Sequence, residues 1–232
     1  MQRFGIIIPA FKPDLQLLQL LDALRTHSEQ AALVVVDDGS GPQYEPVFSA
    51  IQQRRDVTLL RHSTNLGQGA ALKTAFRYAL AHLPDCGGFI TADCDGQHAP
   101  DDILSVAAAW AAHPECLVLG VRDFTFGHGV PFRSLLGNRL SSLTFRLASV
   151  RVSDTQTGLR GIPRTCLPAL LAIPHDRFEF QTAMLIAARR EGLTFQEQPI
   201  ATIYLNQNKG SHFRPLRDSY RIYRVLFKSM FG

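Results

Sequence analysis

Five short stretches, RFGIIIP, ALVVVDDGSG, VTLLRH, GGFITADCD and CLVLGVRD, carry almost uninterrupted apolar residues before breaking into polar or turn-forming ones. A strand with one wet face alternates apolar and polar residues; a strand covered on both faces does not. Between these runs lie segments with helical spacing. LQLLQLLDALRTH places apolar residues at 17, 20, 21 and 24, and GQGAALKTAFRYALAH and DILSVAAAWAAH follow the same logic. Strands that are apolar throughout, separated by helices, predict an α/β fold. Its sheet is mostly parallel, with helices on both faces.

In such sheets ligands bind beyond the carboxyl ends of the strands. Two acidic clusters fall there: Asp37-Asp38 after the second run, and Asp93 and Asp95 after the fourth. Asp93, Asp95 and Gln97 occupy alternate positions, so an extended backbone would project all of them to one side. Two close carboxylates repel unless a cation or a proton lies between them. A solvated turn is the plain alternative, and the location at a strand end favours function. His98, next door, reads as an orienting or loop residue.

Composition sets the outer limits. At 232 residues with 46% apolar and 19% charged residues, the chain suits one large domain with a sizeable core. No apolar run approaches the ~18 residues of a membrane span. MQRFGIIIPAF, interrupted by Pro9, reads as a first strand and not as a signal peptide. Cys86, Cys94, Cys116 and Cys166 are scattered without a C-x-x-C pair, which predicts reduced thiols and no structural zinc. The net charge of +4 conceals an asymmetry: residues 1–119 hold 8 Lys/Arg against 13 Asp/Glu, and residues 120–232 hold 16 against 7. An acidic half suits a cation; a basic half suits phosphates or a lipid surface. The arginines do not form a nucleic-acid module, so nucleic acid is excluded as a partner.

The second half is less regular. PFRSLLGNRLSSLTFRLAS reads as a helix, DTQTGLRGIPR as a turn and then a strand, and RFEFQTAMLIAARREG as a helix stopped at Gly192. LTFQEQPIATIYL reads as one or two strands, and NQNKGSHFRP as a polar loop. The expected organisation is one domain over 1–215, divided into a nucleotide-binding half, 1–120, and an acceptor half, 121–215. An amphipathic helix over 216–232 follows, with Leu216, Tyr220, Tyr223, Phe227 and Met230 on one stripe and Arg217, Arg221, Arg224 and Lys228 beside it.

PAFKPD, VVVDDGSG, NLGQGAALKTAF, TADCDGQHAPDD and SDTQTGLRGIPR, in this order, resemble the family-two inverting glycosyltransferases of the GT-A fold. Within them, the resemblance is to the dolichyl-phosphate mannose synthase-like, polyprenyl-phosphate sugar transferases. It implies a nucleotide-sugar donor, UDP- or GDP-linked, and Mg²⁺ or Mn²⁺ held by Asp93, Asp95 and Gln97. Such an ion offsets the charge that grows on a departing diphosphate. It implies donor contacts from Pro9, Phe11, Asp37, Asp38, Asn65, Asp93 and Cys94. Lys73, one turn inside its helix, is read either as a donor contact or as a surface lysine. Lys12-Pro13 departs from the family's Asn-Glu after the aromatic residue, which leaves the base open.

Arg122 matches a phosphate-contacting arginine of the family. Arg133 and Arg139 are assigned to the acceptor phosphate, and Lys209, Ser211, His212 and Arg214 to an acceptor loop; Arg146 and Arg151 fit a solvated basic face equally well. Asp95, Arg122, Asp154 and Glu179 are the catalytic candidates. A phosphate acceptor is already ionised and attacks without a base, whereas a hydroxyl acceptor needs Asp154 or Glu179 to take its proton. The Q-x-x-R-W motif of processive synthases is absent, which favours transfer of a single sugar. The expected product is a polyprenyl-phosphate sugar, made with inversion by a protein peripheral to the cytosolic membrane face and joined by a small integral-membrane partner protein. A nucleotidyltransferase and a non-enzymatic nucleotide-binding regulator are the competing readings.

Overall fold

The computed structural model describes residues 2–122, 152–155, 157–201 and 224–225. Its strands are β1 (Phe4–Ala10), β2 (Ala32–Asp37), β3 (Val57–Arg61), β4 (Gly88–Thr91), β5 (Leu117–Arg122), β6 (Arg160–Pro163) and β7 (Phe195–Ile200). Its helices are α1 (Gln16–His27), α2 (Glu45–Gln52), α3 (Gln68–His82), α4 (Pro100–Ala112), α5 (Leu167–Leu171) and α6 (Glu179–Arg190). The strands form a seven-stranded sheet in the order β3-β2-β1-β4-β6-β5-β7. All pairings are parallel except those of β6, which runs antiparallel to both β4 and β5.

The apolar runs explain the layers. Along β1, Ile7 faces α3 and α6, while Ile6 and Ile8 face α1, α2 and α4; in β2, Val34 and Val36 oppose Leu33 and Val35 in the same way. Both sheet faces are thus dry, as uninterrupted hydrophobic strands require. Two strand glycines make room for one side chain. A Cβ at Gly88 would lie 2.2 Å from the Trp110 ring, and one at Gly161 2.9 Å from Trp110 Cβ, so α4 seats its indole directly on β4 and β6.

The reversed direction of β6 positions the site. Arg160, its first residue, pairs with Thr91, the last of β4. The segment leading into β6 therefore meets the chain just past the carboxyl end of β4, through Gly158 and Asp93, and the carboxyl end of β5, through Asp154 and Arg122. The parallel pattern of the first half does not announce this reversal, and α2 was not anticipated either. EPVFSAIQ offers only two turns, with buried Val47, Phe48 and Ile51.

All four cysteines are free thiols. No helix among the described residues is long and apolar enough to cross a membrane. The helix expected over PFRSLLGNRLSSLTFRLAS and the NQNKGSHFRP loop lie outside the described residues. Of the tail, Arg224 and Val225 are helical, and Val225 is buried in the core alongside α3 and α6.

Candidate active site

At the end of β2 the chain turns through Gly39, whose φ of +67° suits glycine. Asp37 closes this turn: its Oδ1 accepts from the Ser40 N–H at 2.9 Å, and Arg61 Nε stands 3.4 Å from Oδ2. Asp38 is buried and accepts from four donors, namely the N–H groups of Leu66 (2.9 Å) and Gly67 (2.8 Å), Asn65 Nδ2 (2.9 Å) and the His62 ring (2.8 Å). This carboxylate shapes the loop from β3 to α3. The N–H groups at the NLGQG turn are in part committed within the protein, since Leu66 and Gly67 serve Asp38 and Ala70 donates to Asp176 O at 2.9 Å.

Pro9 is half-buried in β1, and Phe11 follows directly. Lys12 takes φ +55°, the only left-handed residue other than glycine among the described residues, with its N–H held by Ser40 Oγ at 2.9 Å. Its ammonium lies 5.1 Å above the Phe11 ring. Lys73 is not a surface lysine. It is buried, donates to Ile173 O at 3.0 Å and pairs with Asp176, so it ties α3 to the segment that precedes α6.

The acidic corner after β4 is not extended. The strand ends at Thr91, residues 94–96 bend, and Gly96 is left-handed with φ +77°. The strand-alternation argument for Asp93, Asp95 and Gln97 therefore fails, and a turn sets the two carboxylates within electrostatic reach of each other instead. Within it the Gln97 N–H donates to Asp95 Oδ1 at 3.1 Å. Burial first, and then the charge of Asp93, push the Asp95 carboxyl above its ordinary value. The Asp93 N–H donates to His98 Nδ1 at 3.0 Å, so that nitrogen is unprotonated and the proton sits on Nε2, 3.9 Å from Asp93 Oδ2. Cys94 is a dormant thiol, pushed by burial up to about 12.

Three neighbours of Asp93 lay outside the candidates read from sequence. Gln68 Nε2 donates to its Oδ1 at 3.0 Å. A Cβ at Gly158 would sit 2.4 Å from its Oδ2, so only glycine leaves space for the carboxylate there. Arg160 is fully buried and bears on both Asp93 and Asp154 electrostatically. All three stand inside NLGQG and SDTQTGLRGIPR, and only the folded chain joins those motifs.

Across the same edge Arg122, at the end of β5, grips the fully buried Asp154: Nε reaches Oδ2 at 2.7 Å and Nη2 reaches Oδ1 at 3.2 Å. Glu179 opens α6, and its Oε2 is buried without a hydrogen-bond partner among the described residues. Arg133, Arg139, Lys209, Ser211, His212 and Arg214 lie outside the described residues.

Asp93 and Asp95 suit a hard divalent cation in that they are close acids with oxygen donors. Among the described residues no group of three or more His, Cys, Asp or Glu side chains is arranged to hold a metal. The corner offers a part-shell, of the kind that phosphate oxygens complete.

Comparison with known proteins identifies the family and the fold. The UDP-N-acetylglucosamine–dolichyl-phosphate N-acetylglucosaminyltransferase of Methanococcus voltae is 27% identical over 97% of this chain and 95% of its own. The polyprenol monophosphomannose synthase of Mycolicibacterium smegmatis is 26% identical over 86% of this chain and 77% of its own. The fold is that of glucosyl-3-phosphoglycerate synthase from Mycobacterium tuberculosis, solved with Mn²⁺ and UDP: the TM-score is 0.72 at 15% identity, covering 99% of this chain and 80% of that one. The profile of glycosyl transferase family 2 matches residues 5–168. The chain belongs to glycosyl transferase family 2 and is a glycosyltransferase.

Proposed function

We propose that this enzyme transfers a single sugar from a UDP- or GDP-linked donor to a polyprenyl phosphate, with inversion and with dependence on Mg²⁺ or Mn²⁺. The observation that carries this reading is the coupled Asp93–Asp95 pair at the sheet edge, facing the segment that enters β6. The relatives from Methanococcus and Mycolicibacterium, whose names specify dolichyl phosphate and polyprenol, support the lipid acceptor.

In this reading Asp93, Asp95 and Gln97 hold the ion, which when bound neutralises charge on the leaving diphosphate. Gln68 and His98 fix Asp93, and the Asp38-anchored loop with Asp37, Phe11 and Pro9 frames the nucleoside. Arg122, held in orientation by Asp154, presents a guanidinium edge to phosphate oxygens. The acceptor phosphate oxygen, already ionised, forms the new bond to the anomeric carbon. The bond to the nucleoside diphosphate breaks on the opposite face, so the configuration inverts and no proton has to be removed. Asp154, with both oxygens receiving Arg122, serves as a positioning group. Arg133, Arg139, Lys209, Ser211, His212 and Arg214 complete the acceptor side, and the enzyme works at the cytosolic membrane face beside a small integral-membrane partner.

The test is a mass-spectrometric assay. UDP- and GDP-sugars are offered with polyprenyl phosphate or with the matching polyprenol, with and without EDTA. Product from the phosphate alone, lost on chelation, is the expected result; product from polyprenol overturns it. One observation favours a second reading: the buried Oε2 of Glu179 has no hydrogen-bond partner among the described residues, which suits a group that meets a hydroxyl substrate. In that case Glu179→Gln abolishes turnover and leaves donor binding intact.

A further inference from the structure

We propose that Lys73 is a positioning residue for the donor corner: by pinning the segment before α6 onto the start of α3 it fixes Gln68, and Gln68 in turn holds the Asp93 carboxylate. The inference rests on the reading of Asp93 as a donor-side group given above.

Gln68 is the first residue of α3, and its Nε2 donates to Asp93 Oδ1 at 3.0 Å. A long side chain orients a carboxylate only when its own backbone is held in place. Here the backbone is held from two sides. From one, Asp38 Oδ2 accepts from the Gly67 N–H at 2.8 Å. From the other, the chain lies directly on residues 176–180. A Cβ added at Gly67 would stand 2.4 Å from Asp176 O, and one at Gly69 2.5 Å from Phe180 Cβ. The two glycines that flank Gln68 thus let the segments touch with no side chain between them. The Ala70 N–H donates to Asp176 O at 2.9 Å, and Arg177 Nη1 donates to Asn65 Oδ1 at 3.3 Å.

Lys73 lies three and four residues beyond Ala70 and Gly69, on the same face of the helix. Its buried ammonium donates to Ile173 O at 3.0 Å, pairs with Asp176 Oδ1 and stands 5.8 Å from the Phe180 ring centroid. It therefore meets both ends of the segment that rests on the glycines. The Asp176 side chain is 56% exposed, so water competes for it wherever the ammonium is missing. A buried ammonium is costly, and an apolar side chain of equal length would fill the same space beside Phe180. What the charge adds is direction: it fixes where residues 173–180 lie relative to Gln68. Glu179, carried by that segment, is placed by the same contacts.

The experiment compares wild type with Lys73→Met, which keeps length and bulk, Asp176→Asn, which keeps an acceptor for the ammonium, Gln68→Leu, and the double variant Lys73→Met/Gln68→Leu. Three quantities are read: the side-chain amide resonance of Gln68 by NMR, the affinity for UDP or GDP by calorimetry with Mn²⁺, and Tm. The Gln68 resonance is identified by its disappearance in Gln68→Leu. Lys73→Met is expected to move it toward the position of an exposed amide, and Asp176→Asn to leave it in place. Lys73→Met and Gln68→Leu should each weaken nucleotide binding by ~10-fold, the worth of one charge-assisted hydrogen bond. The double variant should bind no more weakly than either, because both changes act through one contact, whereas losses in Tm add. A lysine that only supports the fold predicts an unmoved Gln68 resonance and additive losses of affinity; either result overturns the proposal. Should Lys73→Met not fold, Asp176→Ala must move the resonance in its place, and an unmoved resonance there overturns the assignment. If wild type binds neither nucleotide, the donor reading falls, and the Gln68 resonance still decides whether Lys73 acts on Gln68.

Discussion

Arg122 and Asp154 form a two-point ion pair across the mouth of the sheet, with Nε–Oδ2 at 2.7 Å and Nη2–Oδ1 at 3.2 Å. Asp154 is wholly buried and Arg122 partly so, and the two sit on separate segments 32 residues apart. A lysine delivers a single point charge and cannot hold both oxygens. Arg122→Lys is therefore expected to lower kcat by ~10- to 100-fold with little change in Tm. Arg122→Ala removes the two-point partner of a buried carboxylate and is expected to lower stability as well as kcat, read by urea unfolding.

Asp38 anchors the β3–α3 loop through four hydrogen bonds, two of them from backbone N–H groups. Removing the carboxylate leaves those buried donors unsatisfied, at about 1–3 kcal/mol for each that finds no water. Asp38→Ala is expected to destabilise the protein by about 2–4 kcal/mol on that basis. It should raise the donor KM more than it lowers kcat, because the loop frames binding and not the reacting bond. A kcat loss with unchanged KM would contradict this.

Much of this site was legible before folding. Uninterrupted apolar runs announced strands buried on both sides, and the acids at their carboxyl ends marked the open edge. The geometry of Asp93 to Gln97 was not legible. Alternation assumed an extended backbone, whereas Gly96 turns the chain back. The fates of Lys73 and Arg160 were also hidden, because their partners, Ile173, Asp176 and Gln181, arrive from distant segments. Local pattern reports the period of an element; it does not report which polar group another element will bring.

The two acids of the corner give a pH signature. Burial and Asp93 raise the Asp95 carboxyl above its ordinary 3.8 in the folded chain, so the native state binds a proton that the unfolded chain has released. The corresponding stability is present in full below the ordinary value and is lost as pH rises through the folded one. Without metal or nucleotide, the Tm of wild type should fall relative to Asp95→Asn as pH rises from that value toward neutrality. Adding Mn²⁺ with UDP should reverse the order, because the ion then compensates the ionised pair. A constant difference across pH, unaffected by ligand, would refute the coupling.

Gly158 offers the narrowest probe of the corner. Its missing side chain makes room for Asp93, whose Oδ2 would stand 2.4 Å and Oδ1 2.8 Å from an added Cβ. The backbone there is not left-handed, so alanine adds crowding without backbone strain. Thr91 Oγ1 donates to Gly158 O at 2.7 Å and pins the segment to β4, so the carboxylate moves in preference to the chain. A shift of about 1 Å in a ligand-holding group costs ~10²-fold in rate when reacting atoms depend on it. Gly158→Ala should therefore lose ~10²-fold in kcat and bind Mn²⁺ more weakly in the presence of UDP, while its circular dichroism and Tm stay near wild type. Gly192→Ala serves as the control, because Gly192 has open space around its Cβ position and lies at the far end of α6; any loss there should appear in stability alone.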